Sequence, residues 1–186
     1  AGSNDAQVKI TGGNITATSD DWGAGIGSGS DGTAYVEITG GEINATGGYL
    51  GAGIGGGCNG SGNVTISGGG ITAAGGEGAA GIGGGYYNGA TVTITGDAVI
   101  KNASNTKYGA GIGGGQSAAG QNITIRDGNV TAIPGGEAAG IGGGYQGSGK
   151  NITIEGGTVY SRSGGGSGPV AAIGGGRVSG KGENIQ

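Results

Sequence analysis

The chain has 186 residues, 57 of them glycine and two proline, and a net charge of −4. A strict Gly-X-Y register is missing and proline is nearly absent, which excludes collagen. The eight Lys and Arg residues are scattered singly, so no basic patch could follow a phosphate backbone, and nucleic acid is excluded as a partner.

Charged residues are few and Val/Ile positions are strongly periodic, which argues against disorder. No apolar run reaches membrane-spanning length, so membrane insertion is not expected. The single cysteine, Cys58, excludes an internal disulfide. Eight N-x-S/T sequons fall at or near strand starts, where they suit a bacterial chain that never meets eukaryotic N-glycosylation.

One unit recurs along the chain. VKITGGNITA (8–17) leads to GAGIGSG (23–29), VEITGGEINA (36–45) to GAGIGGG (51–57), and VTISGGGITA (64–73) to AAGIGGG (79–85). VTITGDAVIK (92–101) leads to GAGIGGG (109–115), ITIRDGNVTA (123–132) to AAGIGGG (138–144), and ITIEGGTVYS (152–161) to VAAIGGG (170–176). The motif isoleucines Ile26, Ile54, Ile82, Ile112, Ile141 and Ile173 are spaced by 28, 28, 30, 29 and 32 residues. Repetition at this period means a solenoid.

Each unit holds three short stretches of period-two alternation: V-x-I, then I/V-x-A, then A-x-I. No segment has helical periodicity. The pattern predicts an all-β parallel β-helix of about six coils of 28–32 residues, with three short strands per coil. Glu183–Gln186 starts a seventh coil, so residues 1–186 are expected to be one β-helix domain that continues in a longer chain.

Within each coil, five positions separate the last core residue of strand one from the first of strand two, as in Ile66 to Ile71 and Ile94 to Val99. That corner is expected to be rigid. The other two corners vary in length and are expected to carry the loops. Asn63, Asn122, Asn151 and Asn184 each precede a first core residue and are expected to form a partial ladder along the stack.

In A-G-I-G, alternation sends Ala and Ile inward. Two columns with almost no side chains would then face out: Gly25, Gly53, Gly81, Gly111, Gly140 and Ala172, and Gly27, Gly55, Gly83, Gly113, Gly142 and Gly174. Three readings stay open for this face: cover by the chain's own loops, a ligand or partner lying on it, or a glycine turn in place of a strand.

Chemistry-bearing residues are sparse. Gly51–Gly56 fits G-x-G-x-x-G, but no helix follows it and the pattern repeats with the coil, so dinucleotide binding is rejected. With no His and one Cys, nucleophile–base pairs are missing, and the chain is not expected to be an enzyme. Asp20, Asp21 and Asp31 flank the first glycine motif, where they could act as glycosidase carboxylates or hold calcium. No other cofactor is implied. Arg126 and Glu155 occupy equivalent positions of neighbouring coils and read as an ion pair.

Aromatic residues gather at the variable corners. Directly after the glycine motif runs the column Ser30, Cys58, Tyr86, Gln116, Tyr145, Arg177. Four positions before the motif isoleucine runs Trp22, Leu50, Gly78, Tyr108, Glu137, Pro169. Trp22, Tyr49, Tyr86, Tyr87, Tyr108, Gln116 and Tyr145 are the candidate ligand-binding residues, since exposed rings beside polar loops suit stacking on sugars. The alternative is that Tyr86, Tyr87 and Tyr145 pack down over the glycine face.

The unit ITISGG-x-ITA…GAGIGGG resembles glycine-rich repeats of large surface proteins of gut Firmicutes. More loosely, it is similar to clostridial cell-surface right-handed β-helices that bind plant polysaccharides. The second group carries D-G-I where this chain has A-G-I. The resemblance implies a right-handed coil in an extracellular or wall-attached carbohydrate-binding or adhesion module. A polysaccharide or host glycan would be its partner, with flanking domains of the same chain. A non-binding stalk and a pectin-lyase-like polysaccharide lyase or hydrolase are the alternatives.

Overall fold

The computed structural model describes residues 4–178 and 180–186. Among these every element is a β-strand, and all strand pairs are parallel. Equivalent strands of successive units stack into three sheets of seven, six and six strands, making a β-solenoid of about six coils.

Alternation sets each strand. In the third coil, Ser61–Ile66 buries Gly62, Val64 and Ile66 and leaves Thr65 exposed. Gly70–Ala74 buries Ile71 and Ala73, and the third strand is only Ile82–Gly83. Register carries each buried residue onto its equivalent. Val8 meets Val36, then Val64, then Val92. The motif isoleucines pair in unbroken succession from Ile26 to Ile173. Ile54, Ile82, Ile112 and Ile141 are fully buried. A single coil has no apolar face to bury except against its neighbours, so stacking is what stabilises it. The sequence also conceals a core column. Ala34 and Ala90, with Gly62, Gly120 and Gly149 in register, open the first strands and are all buried.

The fourth coil departs from the uniform corner. Val99 is exposed, and Ile100 takes the buried place opposite Ile71. Ile94 to the inward residue is therefore six positions rather than five, and buried Ala98 lines the longer corner. A bulge at Lys101–Asn102 then restores Ala103 to its place opposite Ala73. From there Ala103 to Ile112 spans the same nine positions as Ala73 to Ile82. The fourth unit's extra length thus lies in a corner and a strand, not in a loop.

The same holds after the glycine motif. Between Ala90/Val92 and their partners Gly120/Ile123, one residue is added. That residue is Asn122, at φ 52°, and Asn151 follows it at φ 51°. The Asn151 amide donates to Asn122 Oδ1 at 3.0 Å, and the Asn184 amide to Asn151 Oδ1 at 2.9 Å. The ladder is therefore Asn122–Asn151–Asn184, and Asn63 is not part of it. Asn63 is an ordinary strand residue paired with Tyr35 and Thr91, with no positive φ. Asparagine tolerates the left-handed region that the bulge needs.

Asn105 holds the second corner of the fourth coil and is nearly buried. Its amide donates to the carbonyls of Gly76 and of Ala79, the latter at 2.6 Å. Its Oδ1 accepts from the N–H of Lys107 at 2.7 Å and of Gly109 at 2.9 Å. Asn105→Ala strips the Ala79 carbonyl and the Lys107 and Gly109 N–H groups of their partner, while the Gly76 carbonyl keeps the Ala79 N–H. It is expected to cost about 2–4 kcal/mol in urea unfolding. Asn129→Ala, at an exposed strand start, should stay within about 0.5 kcal/mol.

The glycine motif is both a short strand and a turn. In Gly53 and Gly81 an added Cβ would meet the backbone of Ala74 and Ser104, the last residues of the next coil's second strand. The chain's own backbone covers this face, so no ligand lies on it, and Tyr86 packs against Gly78 instead. The second column does not face out as extended strand. Gly27, Gly55, Gly83, Gly113, Gly142 and Gly174 all have φ between 132° and 142°. The motif alanine closes this turn, its N–H donating four residues ahead, as from Ala52 to Gly56 at 2.9 Å.

Candidate functional site

The two variable corners adjoin. A turn before each motif closes through bonds such as Gly51 N–H to Gly48 O at 3.0 Å. A turn after it closes through bonds such as Gly60 N–H to Gly57 O at 2.8 Å. The later turn of one coil is then bonded to the earlier turn of the coil before it. Cys58 N–H donates to Trp22 O at 2.7 Å, Tyr86 to Leu50 at 3.2 Å, Gln116 to Gly78 at 2.7 Å and Tyr145 to Tyr108 at 2.8 Å. Both turn columns therefore form one edge along the solenoid, held together by backbone bonds between coils.

All seven candidate ligand-binding residues sit on this edge. Trp22, Tyr49 and Tyr87 are each 57% exposed. Tyr86, Tyr108, Gln116 and Tyr145 are half-buried. Tyr86 and Tyr87 meet edge to face with centroids 4.4 Å apart, and Tyr108 and Tyr145 lie tilted at 5.5 Å. Burial, then the neighbouring Tyr87, Tyr49, Tyr108 and Cys58, push the Tyr86 phenol up, so it stays neutral and can donate a hydrogen bond. The other two tyrosines, Tyr35 and Tyr160, lie on outer strand faces.

Sequence reasoning placed Glu137 and Arg177 in the two columns but missed two further charged members of the edge, Glu77 and Lys107. Glu77 and Lys107 stand five positions before Ile82 and Ile112, as Tyr49 stands before Ile54, so aligning one more column would have found them. Lys107 Nζ lies 2.6 Å from Glu77 Oε1 and 4.8 Å from the Tyr108 ring centroid. The Lys107 hydrogen bond holds the Glu77 carboxyl below the usual carboxylate range, while Glu77 raises Lys107. Arg177 of the sixth coil pairs with Glu137 of the fifth. The Glu77–Lys107 pair, which faces solvent, contributes little to stability but fixes the side chains it joins.

Asp20, Asp21 and Asp31 are not brought together at one point. Among the described residues no three His, Cys, Asp or Glu side chains gather as a cation cage. Asp31, at φ 64°, lies in the turn after the first motif. There its carboxylate accepts from Asn59 at 2.7 Å and Ser30 at 3.1 Å, facing the next turn of its own column. Asp20 and Asp21 are exposed in the other turn column. Cys58 is buried, and burial first, then Asp31, raises its thiol, so it stays protonated and a poor nucleophile. Arg126 and Glu155 form the expected ion pair, at 3.2 Å.

No curated protein and no solved structure matches the chain. The beta helix repeat family matches residues 8–30, 36–58, 64–86, 123–145 and 152–177, more than half of the sequence. The skipped stretch holds the fourth coil, whose longer corner and bulge break the repeat. With strand register, stacking and family pattern coinciding on five of its units, the chain belongs to the beta helix repeat family.

Proposed function

We propose that the edge where the turn columns meet binds carbohydrate, and that the chain is a non-catalytic adhesion module outside the cell or on its wall. The observation that carries this reading is the gathering of Trp22 and five of the seven tyrosines on one edge of a chain with only 4% aromatic residues. Core packing does not account for them, because Trp22, Tyr49 and Tyr87 stand more than half exposed. Rings of this kind offer flat apolar faces to sugar rings, and flanking Gln116, Gln146 and Asn88 offer hydrogen bonds to hydroxyls. The resemblance to Firmicutes surface repeats agrees with this reading. Against catalysis stand the protonated Cys58, the lack of His and the dispersal of Asp20, Asp21 and Asp31.

Affinity electrophoresis and a glycan array test the proposal. The protein should be retained by at least one polysaccharide. Trp22→Ala and the pair Tyr49→Ala with Tyr87→Ala should each lower affinity about tenfold, the effect of roughly 1.4 kcal/mol. Their unfolding midpoints should not move, because the rings are exposed. Retention by no glycan at high protein concentration would leave a structural stalk.

A further inference from the structure

Resting on the carbohydrate reading, we infer that the ligand is a neutral linear polysaccharide lying along the solenoid axis, across the strands. The rings are distributed along that direction. Trp22 belongs to the first coil, Tyr49 to the second, Tyr86 and Tyr87 to the third, Tyr108 to the fourth and Tyr145 to the fifth. Four coil steps at about 4.8 Å each give a strip of roughly 19 Å. Across the edge there is room for only the two adjoining turns, so a polymer running with the strands would meet one or two rings, and one running with the axis meets them all. Hydrogen bonds between turns, such as Tyr145 N–H to Tyr108 O, fix the ring positions before any ligand arrives.

Charge selects the class of polymer. Between Trp22 and Tyr145, Lys107 is the one basic residue on the two turn columns. It is engaged by Glu77 and rests over Tyr108. The next cation along, Arg177, is engaged by Glu137. Asp20, Asp21 and Asp31 add exposed negative charge at the Trp22 end. A polyuronate or sulfated glycan would meet acids and no free cation there. A neutral glycan meets rings and amides, and its binding needs no counterion exchange.

The test uses the folded chain with a β-glucan, a mannan and a xylan as neutral probes and polygalacturonate as the polyanion. Retention by a neutral polymer is expected, unchanged from low to high salt. Affinity for its oligomers should rise with length until they span Trp22 to Tyr145, then level off. Glu77→Gln frees Lys107 and should add weak, salt-sensitive retention by polygalacturonate. Retention of the native protein by polygalacturonate alone, abolished by salt, overturns the inference and leaves the carbohydrate reading intact. So does affinity that levels off at one or two sugar units, which removes the axial strip. A Glu77→Gln variant still indifferent to polygalacturonate removes the role of the charge pair. Retention by none of the probes or of the arrayed glycans sinks both readings together.

Discussion

Gly83→Ala is expected to stop the chain from folding, or to cost more than about 4 kcal/mol where a folded state survives. Two penalties act at this position. Its φ of 142° is closed to residues with a Cβ. The added Cβ would also be driven into the carbonyl oxygen of Gly113, the equivalent residue of the next coil. That oxygen cannot retreat, because it accepts the N–H of Gly84 at 2.9 Å within the stack. Relief would require the third and fourth coils to part, which removes the contact that stabilises both. Gly165→Ala is the control. It has an ordinary φ and open space around the new methyl, so the change should stay within about 0.5 kcal/mol. Circular dichroism and urea titration of the two variants read the difference. A folded Gly83→Ala protein of native stability would mean that the coils are not this close.

The second large effect is expected from Ile82→Ala, at about 2–5 kcal/mol, with Ile82→Val at about 0.5–1.5 kcal/mol. Ile82 is fully buried and pairs with Ile54 below and Ile112 above. Its removal leaves a cavity that the fixed rung spacing cannot close. In a stack whose stability is a sum over neighbours, a defect in the middle weakens both halves. Ile185→Ala should be much milder, since Ile185 is 44% exposed on the last strand. Equal effects at Ile82 and Ile185 in urea unfolding would contradict the shared interior.

The repeat was legible because stacking imposes the same demand on every copy. Alternation marks the strands, and a glycine on each side of the motif isoleucine marks where backbones approach. Where local chemistry added a residue, legibility ended. Val99 and Ile100 are both β-branched, so alternation alone could not say which faces in; the added corner residue and the bulge at Lys101–Asn102 decide it. Asn63 and Asn122 look alike in sequence, yet only Asn122 is the added residue of a bulge at positive φ. The glycine face was readable as side-chain-free but not as positive-φ backbone, because period two describes extended chain and the turn does not follow it. At the site, both aromatic columns were visible separately. That they form one edge depends on bonds between coils, such as Cys58 N–H to Trp22 O, which no spacing along one unit reveals.

Everything about the edge depends on coils that stack in register through bare glycine. A crystal structure of the chain tests this most directly. The account predicts the six motif isoleucines in a single column, Gly27, Gly55, Gly83, Gly113, Gly142 and Gly174 at positive φ, and Tyr145 N–H bonded to Tyr108 O. A structure in which Ile82 is out of line with Ile54 and Ile112, or in which the two turn columns lie on separate edges, would contradict it.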